Sequence, residues 1–254
     1  MANADLESIV RGVLTVVDDT LPTDLEGTEG SVMLGVAAIR HGSNLLGGEL
    51  DLVSADRWSL TRVLGRQITE AWLWANALFL DPTHAFDLLM LADAKQLFLR
   101  EKGAKEIWEK LEKHRAGGID LRNPSSVPPE GRQDLAALAD DVHRLREASG
   151  LKGGIAVVSY QMHYRWESSR DVHVTFELLG RYLDIDKPGT VRSVPGPDDV
   201  ESFRGPESLH RDTSLIADAV AVYLHATGQH ERLTQLQQRI LSLGVGGGTS
   251  LGSA

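Results

Sequence analysis

The run YRWESSRDVH, residues 164–173, gathers aromatic, arginine, serine, acidic and histidine side chains in one short segment. These are the types that move protons and stabilise anionic transition states: an imidazole titrates near neutral pH, and a guanidinium offers a fixed fork of donors. A helix turning 100° per residue places Ser169, Trp166, Met162, Phe176 and Gly180 within about 60° of His173, on an apolar face. Tyr164, Ser168 and Asp171 point roughly the opposite way. The inner face therefore presents Ser169 and His173 one turn apart, flanked by Arg170 and Glu177. No G-x-S-x-G elbow accompanies them, which argues against a serine hydrolase. A core histidine held by one neighbour accounts for the same pattern without any chemistry.

A second constellation lies upstream in SLTRVLGRQITEAWLWANALFL, where Arg62, Arg66 and Glu70 interrupt a helix that is apolar on nearly all sides. Arg66 and Glu70 share a face with Val63, Leu73, Trp74 and Ala77, while Ile68, Trp72 and Phe79 occupy the other. An unpaired charge on such a stripe is strongly destabilising, so these two must bond to each other or to a facing helix. The ordinary reading is an internal ion pair that fixes helix register. The chemical reading joins both segments: Arg66, Glu70, Ser169, Arg170 and His173 form the candidate catalytic set, and Arg66, Glu70, Ser169 and His173 are expected to converge in one polar cluster. Each polar stripe then satisfies the other.

Other chemistries find little support. The chain has no cysteine, which removes disulfides, thiolate metal sites and a cysteine nucleophile together. A di-iron bundle needs paired Glu-x-x-His motifs, and only Glu207 with His210 fits the spacing. His143 after Asp140 and His84 after Asp81 sit where solvated side chains are ordinary. The GVGGG near the C-terminus follows no strand and opens no helix, so it is not a phosphate loop. No metal and no cofactor is expected.

The elements that must position these residues are helical. Apolar residues recur at three and four positions and nowhere alternate for long. The pattern predicts helices over 4–19, 29–47, 56–80, 82–113, 130–149, 154–182, 207–227 and 229–243. Asp56, Asp81 with Pro82, and Pro206 with Glu207 after Gly205 supply start signals. Connectors are expected from Gly117 to Gly131 and over 183–206, both as surface loops. The expectation is an all-α, multi-helix bundle around a central apolar helix: one domain over 1–243, with its core at 29–182 and C-terminal helices at 207–243. The Gly- and Ser-rich residues 244–254 are expected to form a flexible tail.

The longest apolar run, AWLWANALFL, is about half the roughly 20 residues that a membrane-spanning helix requires, and so reads as a core helix. The N-terminal MANADLESIVRGVL lacks the basic-then-apolar order of a secretion signal, so the expected location is cytoplasmic, away from membranes. With 26 basic and 36 acidic side chains the net charge is −10, which repels nucleic acid unless the basic groups cluster, and this counts against a duplex-DNA binder.

The R-x-x-x-E of Arg66 and Glu70, followed by a YR segment that runs into Ser169 and His173, resembles an uncharacterised all-helical family related to HEPN-like domains. HRLREASGLKGG leading into VVSYQMHYR extends the resemblance, which covers roughly 30–182. In the family pattern Tyr, Ser and His follow at steps of four, whereas here one residue stands inserted between Tyr164 and His173. Ser169 and His173 carry the pattern over better than Tyr164 and Ser168 do. The resemblance implies a regulatory or defence- and stress-associated helical module acting as a homodimer. The alternative it implies is a metal-independent ribonuclease or nucleotide-handling enzyme with an RNA or nucleotide ligand. RNA-cutting HEPN proteins resemble one another in an arginine followed four to six residues later by histidine, and the sole literal match here, Arg204 to His210, straddles Gly205 and Pro206.

Overall fold

The computed structural model describes residues 3–25, 28–55, 57–86, 88–89, 135–165, 183–187, 190–193 and 198–245. Helix α1 (Asn3–Thr20) buries Leu6, Ile9, Val10, Val13, Val16 and Val17, the stripe that its apolar period dictates. Its end is tied to the C-terminal helix α7 (His230–Ser242): Arg232 donates to the Thr20 carbonyl at 3.0 Å and Arg239 pairs with Asp19 at 2.9 Å.

Helix α2 (Gly30–Ser54) runs seven residues beyond its expected end at 47, straight through Gly47 and Gly48. Each glycine costs a helix interior roughly 1 kcal/mol against alanine. Burial of Leu46 and Leu50 on the same face outweighs that local preference. Helix α3 (Trp58–Leu80) lies against α2 and closes where expected. Asp81 donates its N–H to the Ala77 carbonyl at 2.9 Å, and its carboxylate accepts the His84 N–H at 3.4 Å, so it ends one helix and caps the next turn. The remainder of the helix expected to 113 and the first connector lie outside the described residues.

Helix α4 (Leu135–Ala148) ends in a turn at Gly150, whose φ of 74° is the left-handed conformation that glycine adopts freely. This turn returns the Leu151 N–H to the Arg146 carbonyl at 2.8 Å. Helix α5 (Gly154–Val158) widens without a break into a π-helical segment, Ser159–Arg165. The expected helix thus starts at 154 as the pattern says, but its turns loosen before the YRWESSRDVH run is complete.

A short antiparallel hairpin, β1 (Leu183–Lys187) with β2 (Thr190–Ser193), pairs Leu183 with Ser193 and Asp184 with Arg192. It occupies part of the stretch expected to be loop, because strands this short carry too few alternating positions to register as a period. Helix α6 (Asp198–Ala226) starts well before the expected 207 and runs through Gly205 and Pro206. Proline removes one backbone donor, yet the turns downstream are fixed by burial of Leu209 and of every residue from 215 to 224. A helix buried all round has neighbours all round: α6 packs against α1, α2, α3 and α7. Apart from the hairpin, the described body is an all-α bundle. Val245, which composition assigns to the tail, is 1% exposed and belongs to the core, while 246–254 lie outside the described residues.

Candidate functional site

Helices α2 and α3 lie side by side over most of their lengths, and a cleft of about 570 Å³ opens between them. From α2 come Leu34, Ala37, Ala38 and His41, and from α3 come Gln67, Glu70, Ala71, Trp74 and Leu78, with Leu89 closing one end. Both sets step by three and four, so each is a single helix face. The alanines keep the two backbones from filling the gap with side chains. The walls are apolar, and the polar groups that reach the cleft are His41, Gln67 and Glu70.

Glu70 is half-buried, and burial pushes its carboxyl above the ordinary carboxylate range against the opposing attraction of Arg66 and His41. Among the described residues its carboxylate makes no hydrogen bond or ion pair. Arg66, one turn earlier, is directed elsewhere: its Nη2 donates to the Tyr164 hydroxyl at 2.7 Å, and its guanidinium stands 4.5 Å from the centre of the Tyr164 ring. Tyr160 stacks on Tyr164 with ring centroids 5.5 Å apart. The requirement that a charge on the α3 stripe find a facing partner is thus met for Arg66 by the π-helical segment. Sequence reasoning set Tyr164 aside because a regular 100° step turns it from the inner face. The widened turns of Ser159–Arg165 do not follow that step, and Tyr164 lies against α3.

Of the candidate catalytic set, Arg66 and Glu70 are described, and Ser169, Arg170 and His173 lie outside the described residues, as does the convergence expected of them. His210 and His143 each have a buried Nδ1 without a hydrogen-bond partner among the described residues, but neither reaches the cleft. Among the described residues no three His, Asp or Glu side chains gather in a way that could hold a metal ion.

A polar network that sequence reasoning missed lies in the core. Arg146 on α4, fully buried, donates through Nη1 to Asp218 Oδ2 at 2.8 Å and to Asn76 Oδ1 at 2.5 Å, and through Nη2 to Asp218 Oδ1 at 3.1 Å. Trp72 Nε1 donates to Asp218 Oδ2 at 2.9 Å, and Arg146 Nε reaches the Lys152 carbonyl at 2.9 Å. The signal for two of its members was present: Asn76 in AWLWANALFL and Asp218 in LIADAVAVYL each interrupt an apolar run. All four side chains are at most 1% exposed, so the work of this network is to hold α3, α4 and α6 in register.

The cleft can therefore seat a small molecule with an apolar body and a polar head, and Glu70, the one acidic group among its described lining residues, takes up a proton more readily than an exposed carboxylate does. Among the described residues no Arg or Lys lines the cleft to support chemistry at phosphate, and Arg66 is engaged with Tyr164. Among the described residues no helix is long and apolar enough to cross a membrane. Compared with known protein families, with curated proteins and with solved structures, the chain matches none.

Proposed function

We propose that this chain is a non-catalytic, regulatory helical module that reads a small ligand in the cleft between α2 and α3. The observation that carries the reading is Glu70, a half-buried carboxylate without a bonded partner among the described residues, on the wall of an otherwise apolar cleft. A half-buried carboxylate on an apolar wall loses part of its hydration, and a ligand with a polar head restores it. The resemblance to HEPN-like modules in R-x-x-x-E and YR, with α3 as the axis of the bundle and a homodimer as the working unit, belongs to the same proposal. Metal-independent RNA cleavage by Arg66, Glu70, Ser169, Arg170 and His173 is the weaker reading, since Arg66 is engaged with Tyr164 and the net charge of −10 repels a polyanion.

The test is paired. Purified protein is melted in the presence of a library of small molecules and, separately, incubated with labelled single-stranded RNA. The reading expects a saturable rise in melting temperature with a subset of compounds, lost in Trp74→Ala, and intact RNA. RNA cut by the parent and spared by Glu70→Gln, or a library in which nothing raises the melting temperature, overturns it.

A further inference from the structure

We infer that the ligand of the α2–α3 cleft is an organic cation, an amine or quaternary ammonium carried on an apolar body. This deepens the proposed function and rests on it. The geometry offers such a molecule three things together. The carboxylate of Glu70 supplies the single formal negative charge among the described cleft-lining side chains. Trp74, half-buried on the same face of α3 one turn further on, supplies an indole, the aromatic surface that attracts cations best. Leu34, Ala37, Ala38, Ala71, Leu78 and Leu89 supply apolar wall for the body.

An anion finds no such reception. Among the described residues no lysine or arginine lines the cleft, and the one basic side chain there is the imidazole of His41. A neutral ligand gains the apolar walls but leaves the carboxylate without a charged partner. The molecule as a whole carries a net charge of −10, so its field draws cations toward the opening and repels anions. The through-space neighbours of Glu70, Arg66 from α3 and His41 from α2, do not remove the cost of its burial. A bound ammonium places a full positive charge beside the carboxylate, where the apolar walls weaken screening.

The volume sets the scale of the body. At about 570 Å³ the cleft exceeds what a bare ammonium or a metal ion needs and lies within the range of small-molecule sites. Along α3 the cleft runs from Glu70 to Leu78, roughly 12 Å by the helical rise, which leaves room for an apolar body beyond an ammonium held at Glu70.

Isothermal titration calorimetry with three probes of matched shape tests the inference: 2-phenylethylamine, 2-phenylethanol and 3-phenylpropanoate. The expected result is tightest binding by the amine, at least about tenfold over the alcohol, and none by the carboxylate. Glu70→Gln should bring the amine to the level of the alcohol and leave the alcohol unchanged, with circular dichroism confirming the helical fold. Trp74→Leu should weaken the amine more than the alcohol. An amine that binds no better than the alcohol, or that binds Glu70→Gln as well as the parent, overturns the cation inference and leaves the cleft a ligand site. Failure of all three probes at millimolar concentration overturns the cation inference and the cleft reading together.

Discussion

Arg146 and Asp218 form a two-pronged ion pair, at 2.8 and 3.1 Å, with side chains only 0% and 1% exposed. Removing two charges from water costs several kcal/mol apiece, and the pair persists because Trp72, Asn76 and the Lys152 carbonyl occupy further donors and acceptors. The pair joins α4 to α6, and its partners add α3 and the turn after α4. Arg146→Met should therefore cost about 3–5 kcal/mol, since it leaves Asp218 buried without its cation. Urea unfolding measures this. The double variant Arg146→Met with Asp218→Leu should lose far less than the two single changes summed, and a single variant within about 1 kcal/mol of the parent would contradict the geometry.

Trp72 and Trp74 lie on one helix with different tasks. Trp72 is 1% exposed and bonded to Asp218, whereas Trp74 is half-buried and lines the cleft. Trp72→Ala should cost roughly 3–5 kcal/mol by the void it leaves, and Trp72→Phe about 1–3 kcal/mol for the lost indole donor. Trp74→Ala should cost clearly less than Trp72→Ala in thermal melts, and equal losses at the two positions would show that the cleft is not there.

At Gly65 a Cβ would stand 2.5 Å from Asp212 Oδ2 and 2.7 Å from Arg211 Nη2, against an ion pair whose Asp212 is fully buried. Gly65→Ala is accordingly expected to destabilise by about 1–3 kcal/mol. Gly47→Ala meets nothing within 4 Å and should stabilise by about 0.5–1 kcal/mol through helix propensity alone. Chemical denaturation of both variants should give opposite signs, and a Gly65→Ala variant as stable as the parent would refute the close approach of α6 to α3.

Tyr164→Phe keeps the ring under the Arg66 guanidinium and removes the hydroxyl that accepts its hydrogen bond. For a half-buried, charge-assisted bond the expected loss is about 1–2 kcal/mol. A double-mutant cycle with Arg66→Leu should return a coupling energy of similar size, and zero coupling would separate the π-helical segment from α3.

Glu70 gives a pH signature whose sign follows from its raised pKa. Folding favours the protonated carboxyl, so the stability of the folded state is highest, as far as this group is concerned, below the ordinary carboxylate pKa. It declines as pH rises through the folded value. Glu70→Gln should thus melt above the parent at neutral pH, with the gap closing as the solution is made acidic. A gap that widens toward acid would mean that attraction by Arg66 and His41 outweighs burial.

The elements that came straight from the sequence are those whose stability signal is local. The apolar stripes of α1, α3 and α7 repeat with the helical period, and Asp81 followed by Pro82 marks a stop and a start within neighbouring residues. The polar interruptions Arg66 and Glu70 were legible for the same reason, because a charge on an apolar face is visible without knowing what covers it. The all-α composition of the described body follows from that period as well.

What the tertiary structure alone decided is which face meets which. Arg144 and Arg146 share one short helical segment, yet Arg144 is an exposed side chain paired with its neighbour Asp141, and Arg146 is sealed in the core. The helical period puts Arg146 on the stripe of Leu138 and Val142 and Arg144 off it, but what makes a guanidinium tolerable there is Asp218, on a helix far along the chain. Helix α2 passing Gly47 and Gly48, and α6 passing Pro206, reflect burial that overrides propensities of roughly 1–3 kcal/mol. The cleft is of the same kind: Glu70 was visible in the sequence, but the space beside it exists because small residues on α2 and α3 face each other, and that register is fixed by the packing of the bundle.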